Sequence, residues 1–107
     1  MDKILLGWTT VETREAAEKL ARQAVAAKMA ACVQIDGPIF SVYPWRGAVE
    51  AGEEFRLLLK FPVSKAGAVA EWLQAHHPYE VPEWVVTETA ESLPGYRQWV
   101  IDCCAAQ

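Results

Sequence analysis

Apolar residues follow two different spacings in the first third of the chain. Residues 3–8 form a short apolar run that ends in two threonines, and a run of this length is typical of a strand buried on both faces. The apolar positions then recur every three or four residues, at Ala17, Leu20, Ala21, Ala24 and Val25. Because this is the helical period, we predict a helix that Thr13 caps and that ends near Met29.

Two long apolar segments separated by a turn signal make up the middle of the chain. Residues 31–43 are typical of a β-strand except at residues 36–38, Asp-Gly-Pro, where we predict a bulge inside one strand. Gly47 can adopt a positive φ, so Arg46 and Gly47 are predicted to form a turn, followed by a second strand over residues 49–61. Each strand is about twice the usual length. The hairpin tip is therefore expected to project beyond the core and to pack against another subunit.

The last third of the chain repeats the alternation of helix and strand. Ser64 is a candidate cap for a second helix, whose apolar positions fall between residues 66 and 73 and which ends near His76. A strand over residues 83–89 follows, and the spacing over residues 96–103 predicts a short last helix. The order is β-α-β-β-α-β with an added C-terminal helix. We therefore predict one α+β domain over the whole chain, with a ferredoxin-like fold and an antiparallel sheet.

Composition narrows the range of partners. The chain has 107 residues, of which 52% are hydrophobic and five are Trp, so we expect self-association to cover part of the apolar surface. A net charge of −4 with scattered basic residues argues against nucleic-acid and membrane partners. No apolar run suits a signal peptide or a membrane span, so a cytoplasmic location is predicted. The three cysteines lack CxxC spacing and are expected to be reduced.

The densest group of reactive side chains is the segment 76–83, His-His-Pro-Tyr-Glu-Val-Pro-Glu, which we call the elbow. Pro78 disfavours helical backbone at the residue before it, so the helix should end at His76 and let the two imidazoles converge. Neutral imidazole binds copper, zinc and nickel, which makes His76 and His77 candidate metal ligands. The alternative is structural: His76 stabilises the end of a helix as a cation, and His77 packs in the interior.

Further candidates for binding lie in the elbow and near the hairpin turn. Tyr43, Trp45 and Arg46 are residue types that dominate interface energies, and at a hairpin tip we predict subunit anchors rather than a platform for a planar ligand. The candidates for a ligand-binding cleft are Tyr79, Glu80, Glu83 and Lys60. The sequence contains no glycine-rich phosphate loop and no HExxH or GxSxG motif, so we predict a protein that is not an enzyme.

Three blocks of the sequence together resemble the CutA family of divalent-cation tolerance proteins. They are AACVQI at residues 30–35, SVYPWRG at residues 41–47 and the elbow, HHPYEVPE. The resemblance covers nearly the whole chain. It implies a ferredoxin-like subunit, a tight homotrimer whose long hairpins wrap neighbouring subunits, a cytoplasmic location in bacteria, and a role in tolerance of copper and other divalent metals.

The resemblance also implies a ligand set and an alternative function. The metal ligands proposed in the family correspond to His76, to His77 and to a cysteine at the end of the first strand, where this chain has Trp8. The implied cofactor is a divalent metal such as copper, although the soft thiolate that favours copper is missing. A likeness to PII-type signalling trimers implies the alternative, a sensor or scaffold that binds a small ligand or a protein in its intersubunit clefts.

Overall fold

The structure is a computed structural model that describes residues 2–106. Its helices and strands follow the predicted order. They are β1 (Ile4–Val11), α1 (Arg14–Ala26), β2 (Cys32–Trp45), β3 (Ala48–Pro62), α2 (Ala66–His76), β4 (Val85–Glu88) and α3 (Pro94–Cys104). One turn of 3-10 helix, Val63–Lys65, links β3 to α2. Among residues 2–106, no helix combines the length and the apolar character that a membrane crossing requires.

The four strands form one antiparallel sheet in the order β2-β3-β1-β4. Side chains alternate between the two faces of a strand, and on β3 the side chains of Leu57, Leu59 and Phe61 are at most 1% exposed. They belong to one core cluster with buried residues of α1 and α2, such as Leu20 and Leu73. Helices α1 and α2 therefore cover one face of the sheet, and the predicted ferredoxin-like fold is confirmed.

The hairpin of β2 and β3 has the predicted turn and the predicted bulge. Trp45 pairs with Ala48, so the turn consists of Arg46 and Gly47 alone, with φ values of 50° and 82°. Positive φ at both positions matches the right-handed twist of the flanking strands. The register of the two strands shifts between Asp36 and Ile39, which is the bulge. With strands of 14 and 15 residues, the hairpin makes the molecule 45 Å long against 27 and 22 Å in the other directions.

Beyond the bulge, residues 39–54 form a ribbon whose two faces differ. Because directly paired residues point to the same side of a sheet, Phe40 and Val42 of β2 share a face with Val49 of β3. These three side chains are 72%, 60% and 77% exposed. We call this the outer face of the ribbon. Tyr43 and Trp45 lie on the opposite face.

Two helix and strand ends differ from the predicted ones in the first part of the chain. Strand β1 was predicted to end at Trp8, but it extends to Val11, because the β-branched threonines continue the pairing with β3. Helix α1 ends at Ala26 rather than near Met29. There the N–H of Met29 bonds to the carbonyl of Ala24, and Lys28 has a φ of 61°, a left-handed conformation that terminates helices. Thr13 caps the start of α1 as predicted.

Two predictions in the second half of the chain were also wrong in detail. Ser64 does not cap α2. Its hydroxyl and its N–H both donate to the carboxylate of Asp2, at 2.7 and 3.2 Å, so it ties the turn after β3 to the start of the chain. Strand β4 is shorter than residues 83–89, because Trp84 precedes it and stacks on Phe61 in the core instead of pairing with β1.

Candidate functional site

The end of α2 places the first two residues of the elbow in different backbone conformations. Helix α2 ends at His76, and His77 is extended, with φ −73° and ψ 137°. The following Pro78 accounts for this, since proline disfavours helical backbone at the residue before it. The N–H of His77 still donates to the carbonyl of Leu73, at 2.9 Å, which anchors the break to the last turn of the helix.

The imidazole of His77 is buried and uses both of its nitrogens. Its Nε2 lies 2.9 Å from the carbonyl oxygen of Thr10 and 3.0 Å from the hydroxyl of Thr9. A carbonyl can only accept, so Nε2 carries the proton, and Nδ1 is left to accept a hydrogen bond from the N–H of Tyr79 at 3.1 Å. The neutral ring thereby links the elbow to β1, and no lone pair of the ring remains available for a metal in this arrangement.

The imidazole of His76 has a separate environment. Its Nδ1 lies 2.8 Å from the carbonyl oxygen of Trp72, and its ring stacks on the indole of Trp72 with centroids 4.4 Å apart. The side chain is exposed. Since Nδ1 donates to the carbonyl, Nε2 is the ring nitrogen with a lone pair. The structure therefore joins His76 to α2 and His77 to β1, and the two rings do not converge as the sequence analysis expected.

The position of Trp8 explains why the implied three-ligand set does not assemble within one chain. The side chain of Thr9 contacts His77, so its neighbour Trp8 points to the other face of β1. There the guanidinium of Arg56 lies 5.2 Å from the centroid of the Trp8 ring and makes a 2.8 Å ion pair with Asp36. No group of three or more His, Cys, Asp or Glu side chains within residues 2–106 is arranged to hold a metal ion.

Burial of His77 predicts that stability falls in mild acid. Burial lowers the pKa of the ring from its ordinary 6.5, and this outweighs the opposing effects of the bond to Thr10 and the charge of Glu54. A group whose pKa is lower in the folded state contributes its full stability above its unfolded-state pKa. That contribution is lost as the pH falls through the folded-state pKa. The free energy of unfolding then changes by at most about 1.4 kcal/mol per pH unit for one proton. Urea unfolding at about pH 7.5 and about pH 5 measures this loss.

Two variants assign the expected pH dependence to one ring. His77→Gln cannot take up the proton and should lose much of the acid sensitivity, whereas His76→Gln should retain it. If the acid sensitivity were the same in His77→Gln as in the parent, another group would be responsible and the assignment would be wrong.

Tyr79 connects the elbow to the hairpin. Its hydroxyl donates to the carboxylate of Glu54 on β3, at 2.8 Å, and its ring meets that of His77 edge-on with centroids 4.9 Å apart. The pKa of Tyr79 is raised, first because the phenol is partly buried and next because of the hydrogen bond to Glu54. The phenol therefore stays protonated and its position is fixed from two sides.

The elbow and the ribbon enclose a cleft of about 560 Å³. Carboxylates and aromatic rings are prominent on its walls, and none of the residues that line it within the described chain is Lys, Arg or His. The cleft is lined by Thr10, Glu12, Tyr43, Trp45, Ala51, Gly52, Glu53, Glu54, Tyr79, Glu80, Val81 and Glu83. We refer to it as the acidic cleft.

The acidic cleft brings together residues that the sequence analysis had placed in two separate groups. Tyr79, Glu80 and Glu83, proposed as cleft residues, line it as expected. Tyr43 and Trp45, proposed as subunit anchors, line the same cleft. Their side chains are 44% and 39% exposed, and their role as subunit anchors stays a prediction.

Two further candidates lie outside the walls of the cleft. Arg46 lies at its rim, where its guanidinium is 2.9 Å from the carboxylate of Glu80 and 5.4 Å from the centroid of the Trp45 ring. Lys60 does not line the cleft. Its ammonium lies 5.7 Å from the centroid of the Tyr96 ring on α3.

Three lining residues of the cleft were missed by the sequence analysis, namely Glu12, Glu53 and Glu54. The side chain of Glu53 points to the outer face of the ribbon, since Glu53 pairs with Phe40, so the carboxylates that face the cleft are those of Glu12 and Glu54. Each lies at the end of a strand or within one, where a charged side chain is usually solvated. The register of the hairpin was the available signal, because a two-residue turn at residues 46 and 47 places Glu54 on the same face as Tyr43. The approach of the elbow to that face had no such signal.

Residues 5–103 match the sequence model of the family described as CutA1 divalent ion tolerance protein. This chain belongs to that family. Among its relatives, the Protein CutA homolog of Xenopus laevis is 36% identical over 89% of the chain. The chloroplastic Protein CutA of Arabidopsis thaliana is 38% identical over 87% of the chain. The divalent-cation tolerance protein CutA of Escherichia coli is 34% identical over 85% of the chain. The chain spans 63%, 51% and 81% of their respective lengths.

Solved structures agree with the fold. The divalent ion tolerance protein CutA1 of Ehrlichia chaffeensis is 30% identical with a TM-score of 0.93, and 99% of each chain is covered. CutA of Synechococcus elongatus is 38% identical with a TM-score of 0.92, over 98% of this chain and 93% of that one. The family resemblance noted in the three sequence blocks is thereby confirmed.

Proposed function

We propose that this chain acts in the tolerance of divalent cations, and that it does so by binding rather than by catalysis. The role in cation tolerance is supported by membership of the CutA1 family over residues 5–103, since relatives are named for divalent-cation tolerance. Action by binding rather than by catalysis is supported by His77, the buried imidazole of the elbow. Both of its ring nitrogens make structural hydrogen bonds within the chain. A cytoplasmic location is part of the proposal, although one relative is named chloroplastic.

Growth under metal stress tests the proposed function directly. A bacterial strain that lacks its own CutA-family protein should grow at higher concentrations of copper or other divalent salts when it expresses this chain than when it carries an empty vector. Immunoblotting must show equal amounts of soluble protein at each concentration. Identical growth curves with and without well-expressed protein, for every divalent metal tried, would contradict a role in tolerance.

Direct binding of a divalent metal such as copper to His76 and His77 is the finer hypothesis that the resemblance implies. In this arrangement only Nε2 of His76 has a lone pair, so we expect copper(II) to bind weakly. Calorimetry should show that His76→Ala removes most of this binding and that His77→Gln changes it little. Trp8→Cys should not tighten it, because position 8 points away from His77. Tight binding that needs both histidines would show that the elbow rearranges around the metal.

A second candidate function is that of a PII-like sensor or scaffold that binds a small ligand. The acidic cleft favours this candidate, because its volume of about 560 Å³ lies within the usual range for small-molecule sites. It also combines aromatic rings with polar groups whose positions are fixed, as Tyr79 and Glu54 are by their 2.8 Å hydrogen bond. Such a site serves recognition without requiring a catalytic residue.

Assembly into a homotrimer is the quaternary state that we propose for either function. The outer face of the ribbon supports it, since Phe40, Val42 and Val49 are among the most exposed apolar side chains of the structure. Contiguous exposed apolar side chains on a projecting hairpin are typical of a surface that another subunit covers.

A further inference from the structure

We infer that the acidic cleft binds a small organic polycation of the alkyl polyamine class. The inference rests on the second candidate function, binding of a small ligand, and adds the class of that ligand. It is drawn from the charge of the cleft, from the aromatic rings in its walls, and from a cation of the chain itself that is already held at its rim.

The charges of the cleft come from three separate elements. Glu12 directly follows β1, Glu54 lies on β3 and Glu80 lies in the elbow. They surround one space with no basic side chain among its described lining residues, so the potential inside it attracts cations. Because no three such groups within residues 2–106 are arranged to share one metal ion, the arrangement fits several cationic groups spaced along a chain better than a single ion.

Aromatic rings in the walls favour ammonium or guanidinium groups in particular. Tyr43, Trp45 and Tyr79 line the cleft, and the faces of such rings attract organic cations. The ring of Tyr79 is held by Glu54 at its hydroxyl and by His77 at its edge. Its orientation therefore does not have to be fixed when a ligand enters, which reduces the entropic cost of binding.

Arg46 shows which chemical group the rim of the cleft accepts. Its guanidinium lies at once 5.4 Å from the centroid of the Trp45 ring and 2.9 Å from the carboxylate of Glu80. The ion pair is exposed, with side chains 70% and 68% accessible, so it is exchangeable. A cationic ligand can replace the guanidinium in the same environment of one ring and one carboxylate.

Calorimetric titration of the full-length protein with spermidine tests the inference. Glu54→Gln keeps an acceptor for Tyr79 while it removes a charge, and Trp45→Leu keeps an apolar side chain while it removes the ring. Each should weaken spermidine binding by about fivefold or more. The matched controls are Glu18→Gln on the exposed side of α1 and Trp99→Leu on α3, both outside the cleft, and they should leave the affinity unchanged. Equal losses in the cleft variants and the controls would mean non-specific attraction and would overturn the inference.

A charge-matched pair of arginine variants tests the role of the rim. Arg46→Gln should tighten spermidine binding, because it removes the competing guanidinium from Trp45 and Glu80. Arg22→Gln, which removes the same charge from the exposed side of α1, should have a smaller effect. Equal effects of the two variants would contradict competition at the rim.

Parallel titrations with L-glutamate and glucose test whether the cleft binds polyamines in particular or small ligands of another class. Binding of either one in the cleft, with no heat from spermidine, would overturn the polyamine class and leave small-ligand binding in place. An absence of binding by all three probes would count against both proposals.

Discussion

Gly7→Ala is expected to lower the free energy of unfolding by about 1–3 kcal/mol, the usual cost of an added methyl group in a packed core. A Cβ at position 7 would lie 2.8 Å from Cζ2 of Trp84 and closer still to Cη2. The indole cannot turn aside freely, since it stacks on the buried ring of Phe61 with centroids 5.9 Å apart. Chemical unfolding of the parent and the variant measures the difference.

A second glycine and a second background make this prediction specific. Gly52 also lies in a strand, and a Cβ there would meet nothing within 4 Å, so Gly52→Ala should change stability little. In a Trp84→Leu background, Gly7→Ala should cost markedly less, because the atoms that it would strike are gone. An equal cost of Gly7→Ala in both backgrounds would show that contact with Trp84 is not the cause.

Local sequence patterns predicted the helices, strands and turns of this fold more accurately than they predicted the contacts between them. The helical period of α1, the bulge at residues 36–38 and the turn at Gly47 each depend on a few neighbouring residues, and all three occur where they were expected. Helix α1 nevertheless ends three residues early, because Lys28 adopts a left-handed conformation that glycine usually supplies. Nothing in the local sequence marks a lysine for that role.

The candidate site depends on contacts between residues that are far apart in the sequence. The ring of His77 bonds to Thr9, 68 residues away, and Tyr79 bonds to Glu54, 25 residues away. The two adjacent histidines indicate a metal site when read alone, and only the position of β1 beside the elbow shows that one of them has a structural role. Family resemblance predicted the fold of the subunit correctly, but it transferred a ligand set that Trp8 and the orientation of β1 do not support within one chain.

Replacing Phe40 and Val42 together by Lys is expected to convert the proposed trimer to a monomer. Burial of a Phe or Val side chain contributes about 1.5–3 kcal/mol, and each subunit would lose two such contributions while it placed two charges in the contact. The lysine at position 40 would face Glu53 across the hairpin, so the isolated subunit should not be destabilised.

Light scattering of the parent should give about three times the 11.9 kDa mass of one chain, and scattering of the double variant about that mass itself. Val25→Lys is the control, since Val25 is a 44% exposed valine on α1 and lies outside the ribbon. It should leave the mass of the parent unchanged, and circular dichroism should show all three proteins folded. A parent that scatters as a folded monomer would contradict the trimer. A double variant that remains trimeric would move the contact to another surface, because a trimer held together by the outer face cannot tolerate charges at its two central apolar positions.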